Sequence, residues 1–273
     1  MGKVASALIV GLLLANGSAL AQPKFTPDST TAWIPARAEG DDFISPASGP
    51  GPVVSEPGHP YVPNNRFTQP TYRIADLTNP ILKPWAIEQM KKANDEVRAG
   101  KVPFTADARC RPGGVPGFDV YAHVRPTFII QTEKEVVMIN ESDMQTRRIY
   151  LNVPHLASPR PSSYGDSVGH YEGDELVVDT IGMNDKTFVD NYRTPHTDRI
   201  HVVERFKLID DGKQLQVTVT VDDPGAFNMP WTAIQRWKRR EGETLIELIC
   251  AESPVDHLGN QSVPVPQADR PDF

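Results

Sequence analysis

Between Tyr164 and Phe206 the chain reads YGDSVGHYEGDELVVDTIGMNDKTFVDNYRTPHTDRIHVVERF, a dense run of His, Asp, Glu and Lys among short apolar alternations. Glu204 is the sharpest candidate for chemistry in it. Ile200, Val202, Glu204 and Phe206 share one face of a strand, and His201, Val203 and Arg205 share the other. If the apolar face is interior, a carboxylate points into the core, where desolvation raises its pKa. A raised carboxyl is what a general acid needs. The alternative is an ion pair with an Arg of a neighbouring strand, such as Arg236. His196 lies in the loop feeding this strand and His201 starts it, so either is a candidate proton partner or a simple turn cap. Asp185 and Lys186, within Asn184-Asp185-Lys186-Thr187, offer an acid and a base at a rim, or a turn closed by an Asx hydrogen bond.

Three further residues suit a ligand. Trp231 presents a large flat surface for an apolar or aromatic molecule, although aromatics more commonly fill a core. Asp223 ends a strand in Asp222-Asp223-Pro224, and His170 lies in Gly169-His170-Tyr171-Glu172-Gly173-Asp174. No metal is expected: His155, His170, His196 and His201 make no H-x-H, H-E-x-x-H or two-His-one-carboxylate spacing. No cofactor is expected either, because phosphate-binding Gly-rich loops, a G-x-S-x-G elbow and a C-x-x-C-H haem site are all missing from the sequence.

The elements that must hold these residues are mostly strands. Period-two alternation predicts Thr127–Thr132, Glu135–Glu141, Thr146–Val153, Ser167–Tyr171, Glu175–Thr180, Ile200–Ile209, Leu215–Val221, Trp231–Arg239 and Thr244–Ala251. Short turns such as Glu172-Gly173-Asp174, Asp210-Asp211-Gly212-Lys213 and Arg240-Glu241-Gly242-Glu243 read as hairpin connections. Hairpins without intervening helices imply an antiparallel meander. The expected fold is therefore mainly β: a lipocalin-like barrel or strongly bent sheet, with a β-sandwich as the alternative. One helix is predicted over 80–100, opened by Asn79-Pro80, stopped by Gly100, and packing through Trp85, Met90, Ala93 and Val97.

The ends bound compartment and organisation. Residues 1–21 carry Lys3, an apolar run over 5–15 and Ala19-Leu20-Ala21, the order of a cleavable secretory signal. That run is short for a membrane span, so no integral membrane segment is expected after its removal near Ala21, and the mature chain is expected in a periplasm or secreted. Proline is 26 of 273 residues, about twice ordinary usage. It clusters in an arm over 22–79 and a tail over 253–273, leaving a β-rich core over 80–252. The arms cannot hold regular ladders, so they are expected to be loose or to lie extended on the core. Net charge is −7, and −8 without Lys3, which argues against nucleic acid as a partner. The only cysteines, Cys110 and Cys250, are expected to pair in an oxidising compartment. Closing a loop of about 140 residues constrains the unfolded chain by about 4–5 kcal/mol in the simple loop model.

Several ordered motifs add to this reading. Cys110-Arg111-Pro112-Gly113-Gly114, Arg147-Arg148-Ile149-Tyr150-Leu151, Gly173-Asp174-Glu175-Leu176-Val177-Val178-Asp179-Thr180, Asn184-Asp185-Lys186-Thr187, Pro195-His196, His201-Val202-Val203-Glu204-Arg205-Phe206, Asp222-Asp223-Pro224 and Pro230-Trp231-Thr232 resemble, in order, a large group of exported, mostly uncharacterised bacterial proteins. The resemblance covers about 100–252 and departs at Gly169-His170-Tyr171, where the group usually reads Gly-Arg-Trp. It implies export and weight for these motifs, and no particular reaction. The functional expectation is a cofactor-free enzyme performing acid–base chemistry (isomerisation, elimination or hydrolysis) on a small apolar or aromatic molecule. The alternative is a periplasmic carrier on the same scaffold, without catalysis.

Overall fold

A computed structural model describes residues 23–36, 42–61, 73–99, 111–121 and 125–248. The apolar N-terminal run, Gly100, Cys110, Cys250 and the Pro-rich tail lie outside these residues. Eight of the nine period-two segments build strands and a further strand, β1, precedes them: β1 (Ala32–Pro35), β2 (Thr127–Gln131), β3 (Glu135–Asn140), β4 (Gln145–Leu151), β5 (Asp166–Glu172), β6 (Glu175–Ile181), β7 (His201–Ile209), β8 (Gln214–Asp222) and β9 (Trp231–Arg240). They pair in sequence order, and β1 returns to β9, so the sheet closes into a barrel and leaves no free edge. This is the barrel of the sequence reading and not the sandwich. Among the described residues no helix is long and apolar enough to cross a membrane.

The alternation that predicted the strands also fills the interior. On β8, Leu215, Val217, Val219 and Val221 are all fully buried, while the intervening Gln and Thr residues are partly exposed. Burying each such aliphatic side chain contributes about 1.5–3 kcal/mol. Trp33 and Trp237 are buried, each donating its indole N–H to a backbone carbonyl, of Phe25 and Asp119 respectively.

Four details differ from expectation. The β4–β5 pair is parallel, matched only at Tyr150↔Val168 and Leu151↔Gly169, so the chain is not a pure meander. Parallel partners need a crossover, here residues 152–165. Gly169 permits the close approach, since a Cβ there would lie 2.9 Å from the Ile149 side chain. Secondly, β1 comes from the Pro-rich arm, pairing Ala32↔Arg240 through Pro35↔Trp237 on β9. Thirdly, residues 244–248 form no strand, because β1 already occupies the outer edge of β9 that a further hairpin strand would need. Lastly, the helix α1 (Pro84–Arg98) starts at Pro84, and Asn79 instead closes a turn onto the Ile81 N–H. Its buried face is Ala86, Met90 and Asn94, spaced by four, and this rotation leaves Trp85 42% exposed.

The described parts of the arm lie along the barrel. Ile44 bridges Ile234, Ser55 bridges Ala75, and Asn94 of α1 exchanges two hydrogen bonds with the Ala75 backbone. A second short helix, α2 (Phe118–Tyr121), belongs to a segment buried from 113 to 120 that fits against inward-facing barrel residues. Gly113 N–H donates to Gln145 Oε1, and Trp237 holds the Asp119 carbonyl at 3.1 Å. These contacts set a carboxyl-bearing turn inside the barrel.

Candidate functional site

Two strands supply the centre of the interior. On β4, Gln145, Arg147, Ile149 and Leu151 face inward, and on β7, Val202, Glu204 and Phe206 do so. The sheet separates these strands by β5 and β6, but closure sets them within reach across the lumen. The Arg147 guanidinium grips both Glu204 oxygens, Nη1 donating to Oε1 at 2.7 Å and Nη2 to Oε2. Its Nη2 also reaches Thr180 Oγ1 at 3.2 Å, which contacts Ser167 Oγ at 2.8 Å. Both ionic side chains are fully buried. A two-pronged fork of this kind is the strongest geometry an ion pair adopts.

Asp119 stands beside this pair. It is fully buried, and neither carboxyl oxygen has a hydrogen-bond partner. Glu204 is near enough to share a proton with it. Burial first, and then the Glu204 charge, hold the Asp119 carboxyl well above the ordinary carboxylate range, with Arg147 opposing them. Burial works against the Arg147 charge, yet the Glu204 carboxylate outweighs it and raises the guanidinium pKa. Tyr164, pushed up by burial, donates to Gln145 and packs edge-on to Phe118. Arg147 Nε, Gln145 Nε2 and Gln235 Nε2 are buried donors without partners. A buried polar atom left so costs about 1–3 kcal/mol, so four inward-facing side chains, Asp119 included, present polar atoms that a bound polar group would satisfy.

A second charged group lies on the outside of the same wall. His155, in the β4–β5 crossover, bonds Asp166 Oδ2 through Nδ1 at 2.9 Å and Asp179 Oδ1 through Nε2 at 3.0 Å. His201 Nε2 reaches the same Asp179 oxygen at 2.8 Å. Burial disfavours charge on His155, but the hydrogen bonds to Asp166 and Asp179 outweigh it and raise the ring above the ordinary imidazole value. Among the described residues, no group of three or more His, Cys, Asp or Glu is arranged to hold a metal ion.

No protein-family model and no curated protein matches the chain. Function rests on the geometry of these side chains.

The structure separates the residues singled out from sequence. Glu204 points inward as expected, but its partner is Arg147; Arg236 faces outward and bonds Gln216. His201 occupies the opposite face of β7, 44% exposed. His196 is buried in a loop, its Nε2 on Thr187 Oγ1 and its Nδ1 on the Thr197 carbonyl, and burial lowers its pKa. Asp185 lies near enough for its charge to reach His196, whereas the charges beside Asp119 are Glu204 and Arg147. Asp185 and Lys186 occupy an exposed turn, where Asn184 Oδ1 accepts the Lys186 N–H at 3.1 Å. Asp223 is a buried turn anchor that accepts from Thr197 and Gly225. Trp231 is core, meeting Phe43 and Phe227 edge-on at 6.3 and 5.7 Å. His170 is exposed and bonded to Glu172.

Sequence reasoning missed Arg147, Asp119 and His155. Arg147 had a signal, since it shares an alternation with Ile149 and Leu151. Asp119 sits between Phe118 and Val120, but four residues carry no period, and only the tertiary contacts bury it.

Proposed function

We propose that the protein is an enzyme acting on a small, uncharged molecule inside the barrel, with Asp119 as general acid and then base. The observation that carries this is the Asp119 carboxyl: fully buried, reached by no N–H or hydroxyl donor at either oxygen, and raised beside the Glu204 of a fixed Arg147–Glu204 pair. A carboxyl kept protonated at neutral pH donates a proton to a carbonyl, ether or leaving oxygen and takes one back from carbon or water. Glu204 is a poor base here, because both its oxygens are held by the Arg147 fork. Its part is to orient Arg147 and to raise Asp119.

The charge balance selects the ligand. Arg147 and Glu204 cancel, and a neutral Asp119 adds nothing, so an ionic ligand would bring an uncompensated charge into a sealed interior. Apart from the neutral Gln145, Ser167, Thr180 and Gln235, the wall carries apolar side chains such as Ile149, Val178, Phe206 and Val217. An apolar or aromatic molecule carrying one hydrogen-bond-accepting oxygen fits both halves. Isomerisation, elimination and hydrolysis are the reactions such an acid supports without a further charged group. The signal-like N-terminus and the resemblance to exported proteins support a periplasmic setting, in which Cys110 and Cys250 would pair.

The carrier reading has one observation in its favour, the locked state of Glu204. One variant separates the two. Native mass spectrometry of protein purified from a periplasm is expected to show a retained neutral molecule. Asp119→Asn should keep that molecule and lose its turnover by at least about a hundredfold. Full turnover in the variant removes Asp119 from the mechanism; retention with no turnover by either protein makes the chain a carrier.

A further inference from the structure

We propose that the 152–165 crossover is a pH-latched strap over the gap between β4 and β5, held shut by His155 clamped between Asp166 and Asp179 and released as the ring loses its proton. The proposal concerns access to the interior, so it rests on the barrel site being the working one.

The gap is a property of the sheet. Strands β4 and β5 are matched only at 150–151 and 168–169, so Gln145 to Ile149 have no ladder partner on β5. Those residues include the inward-facing Gln145 and Arg147, and β5 contributes Ser167 to the same polar wall. The opening therefore borders the ionic cluster. Tyr164, the penultimate residue of the strap, borders it, bonding the inward-facing Gln145 and packing on Phe118.

Elsewhere most of the strap is exposed. Pro154, Pro159 and Pro161 prevent regular pairing, and Val153 and Leu156 are 49% and 63% exposed. The described fastenings are Tyr164, the Asn152 N–H on the Gly169 carbonyl, a pair of backbone bonds at Ser162, Pro159 packed over Gly182, and the His155 clamp with its neighbouring Leu156 N–H. Of these only the clamp titrates near neutral pH. Asp166 projects from the outer face of β5, yet is only 8% exposed, with Oδ2 accepting from both His155 and the Leu156 N–H.

The clamp depends on charge for a chemical reason. Ionised carboxylates only accept hydrogen bonds, so an imidazole bonded to carboxylates through both nitrogens must donate from both, as the cation alone can. The neutral ring keeps one N–H and faces the other carboxylate lone pair to lone pair. The groups facing His155 are Asp166 from β5 and Asp179 from β6, and His201 from β7 competes for the Asp179 oxygen. With the folded ring raised above its ordinary value, the latch is complete below about pH 6.5 and weakens as pH rises through the raised pKa.

Hydrogen–deuterium exchange on the full mature chain tests this without any ligand. After correction for intrinsic exchange, peptides over 152–165 should exchange roughly three- to tenfold faster at about pH 8.5 than at about pH 5.5. His155→Gln should exchange fast at both, erasing the difference; Asp166→Asn is the second variant should the first fold poorly. Equal protection of the wild-type strap at both pH values overturns the latch, as does a pH dependence that survives in His155→Gln. A strap that opens in a protein that never takes up a ligand keeps the latch and sinks the site reading. A protein that turns over substrate with a pH-independent strap does the reverse.

Discussion

The barrel carries two charged clusters that use the same chemistry on opposite sides of one wall. Inside, Asp119 stands beside the Arg147–Glu204 pair; outside, His155 lies between Asp166 and Asp179. The inner ion pair is fully buried, whereas His155 is 23% and Asp179 41% exposed. In the dry interior an unmatched charge is very costly, so the pair is gripped by two hydrogen bonds and the third carboxyl is held well above the ordinary carboxylate range. At the surface solvent screens the same contacts, and the cation is one that titrates near neutral pH. Burial turns a cation near two carboxyls into a fixed pair plus a carboxyl of raised pKa; exposure turns it into a switch.

The largest effect should come from breaking the inner pair. Arg147→Met leaves Glu204 charged and unpaired beside Asp119, and is expected to lower unfolding stability by roughly 3–5 kcal/mol in urea titrations. Arg147→Met with Glu204→Leu should recover most of that loss, because no buried charge remains. A double variant as unstable as the single one would mean that the pair is not the element being lost.

Asp119→Asn sharpens the contrast through pH. A carboxyl whose folded pKa is raised keeps its proton in the native state while the unfolded chain ionises above about pH 4, so wild-type stability falls with rising pH in that window. The slope from this one group is about 1.4 kcal/mol per pH unit until the folded pKa is reached. Asparagine removes it, so urea midpoints measured from about pH 4 to about pH 7 should decline less steeply in the variant. Parallel pH profiles would show Asp119 ionised in the folded state.

The outer cluster should give the smallest change, of the same sign but in a higher pH window. His155 is raised in the folded protein, so its contribution is complete below about pH 6.5 and disappears as pH increases through the folded pKa. Thermal melts of His155→Gln should fall slightly below wild type at about pH 5.5 and coincide with it at about pH 8.5. A loss as large as that of Arg147→Met would show that the outer group is structural and not a switch.

Much of the barrel was legible. The faces of β7 and β8 follow from Val202, Phe206, Leu215 and Val217, and Glu204 stood out as the polar member of an apolar face. The helix was legible in existence and in the buried Met90, but not in the rest of its face, because Trp85 outranks Ala86 in hydrophobicity while Ala86, Met90 and Asn94 hold the geometry. The grouping of Glu204 with His196, His201 and Asp185 reflected nearness in sequence. His201 is three residues from Glu204, and an odd offset along a strand reverses the face.

The amino-acid order by itself determined which side chains of each strand go inward, because side-chain direction in a strand repeats every two residues. It also determined where ladders must stop, because proline has no N–H to donate. Only the tertiary structure decided that β4 faces β7, that β1 fills the edge of β9, that β5 runs parallel to β4, and that α2 carries Asp119 inside. Those facts depend on strand order, register and closure. Each is a relation between segments far apart in the chain, which no local period of hydrophobicity records.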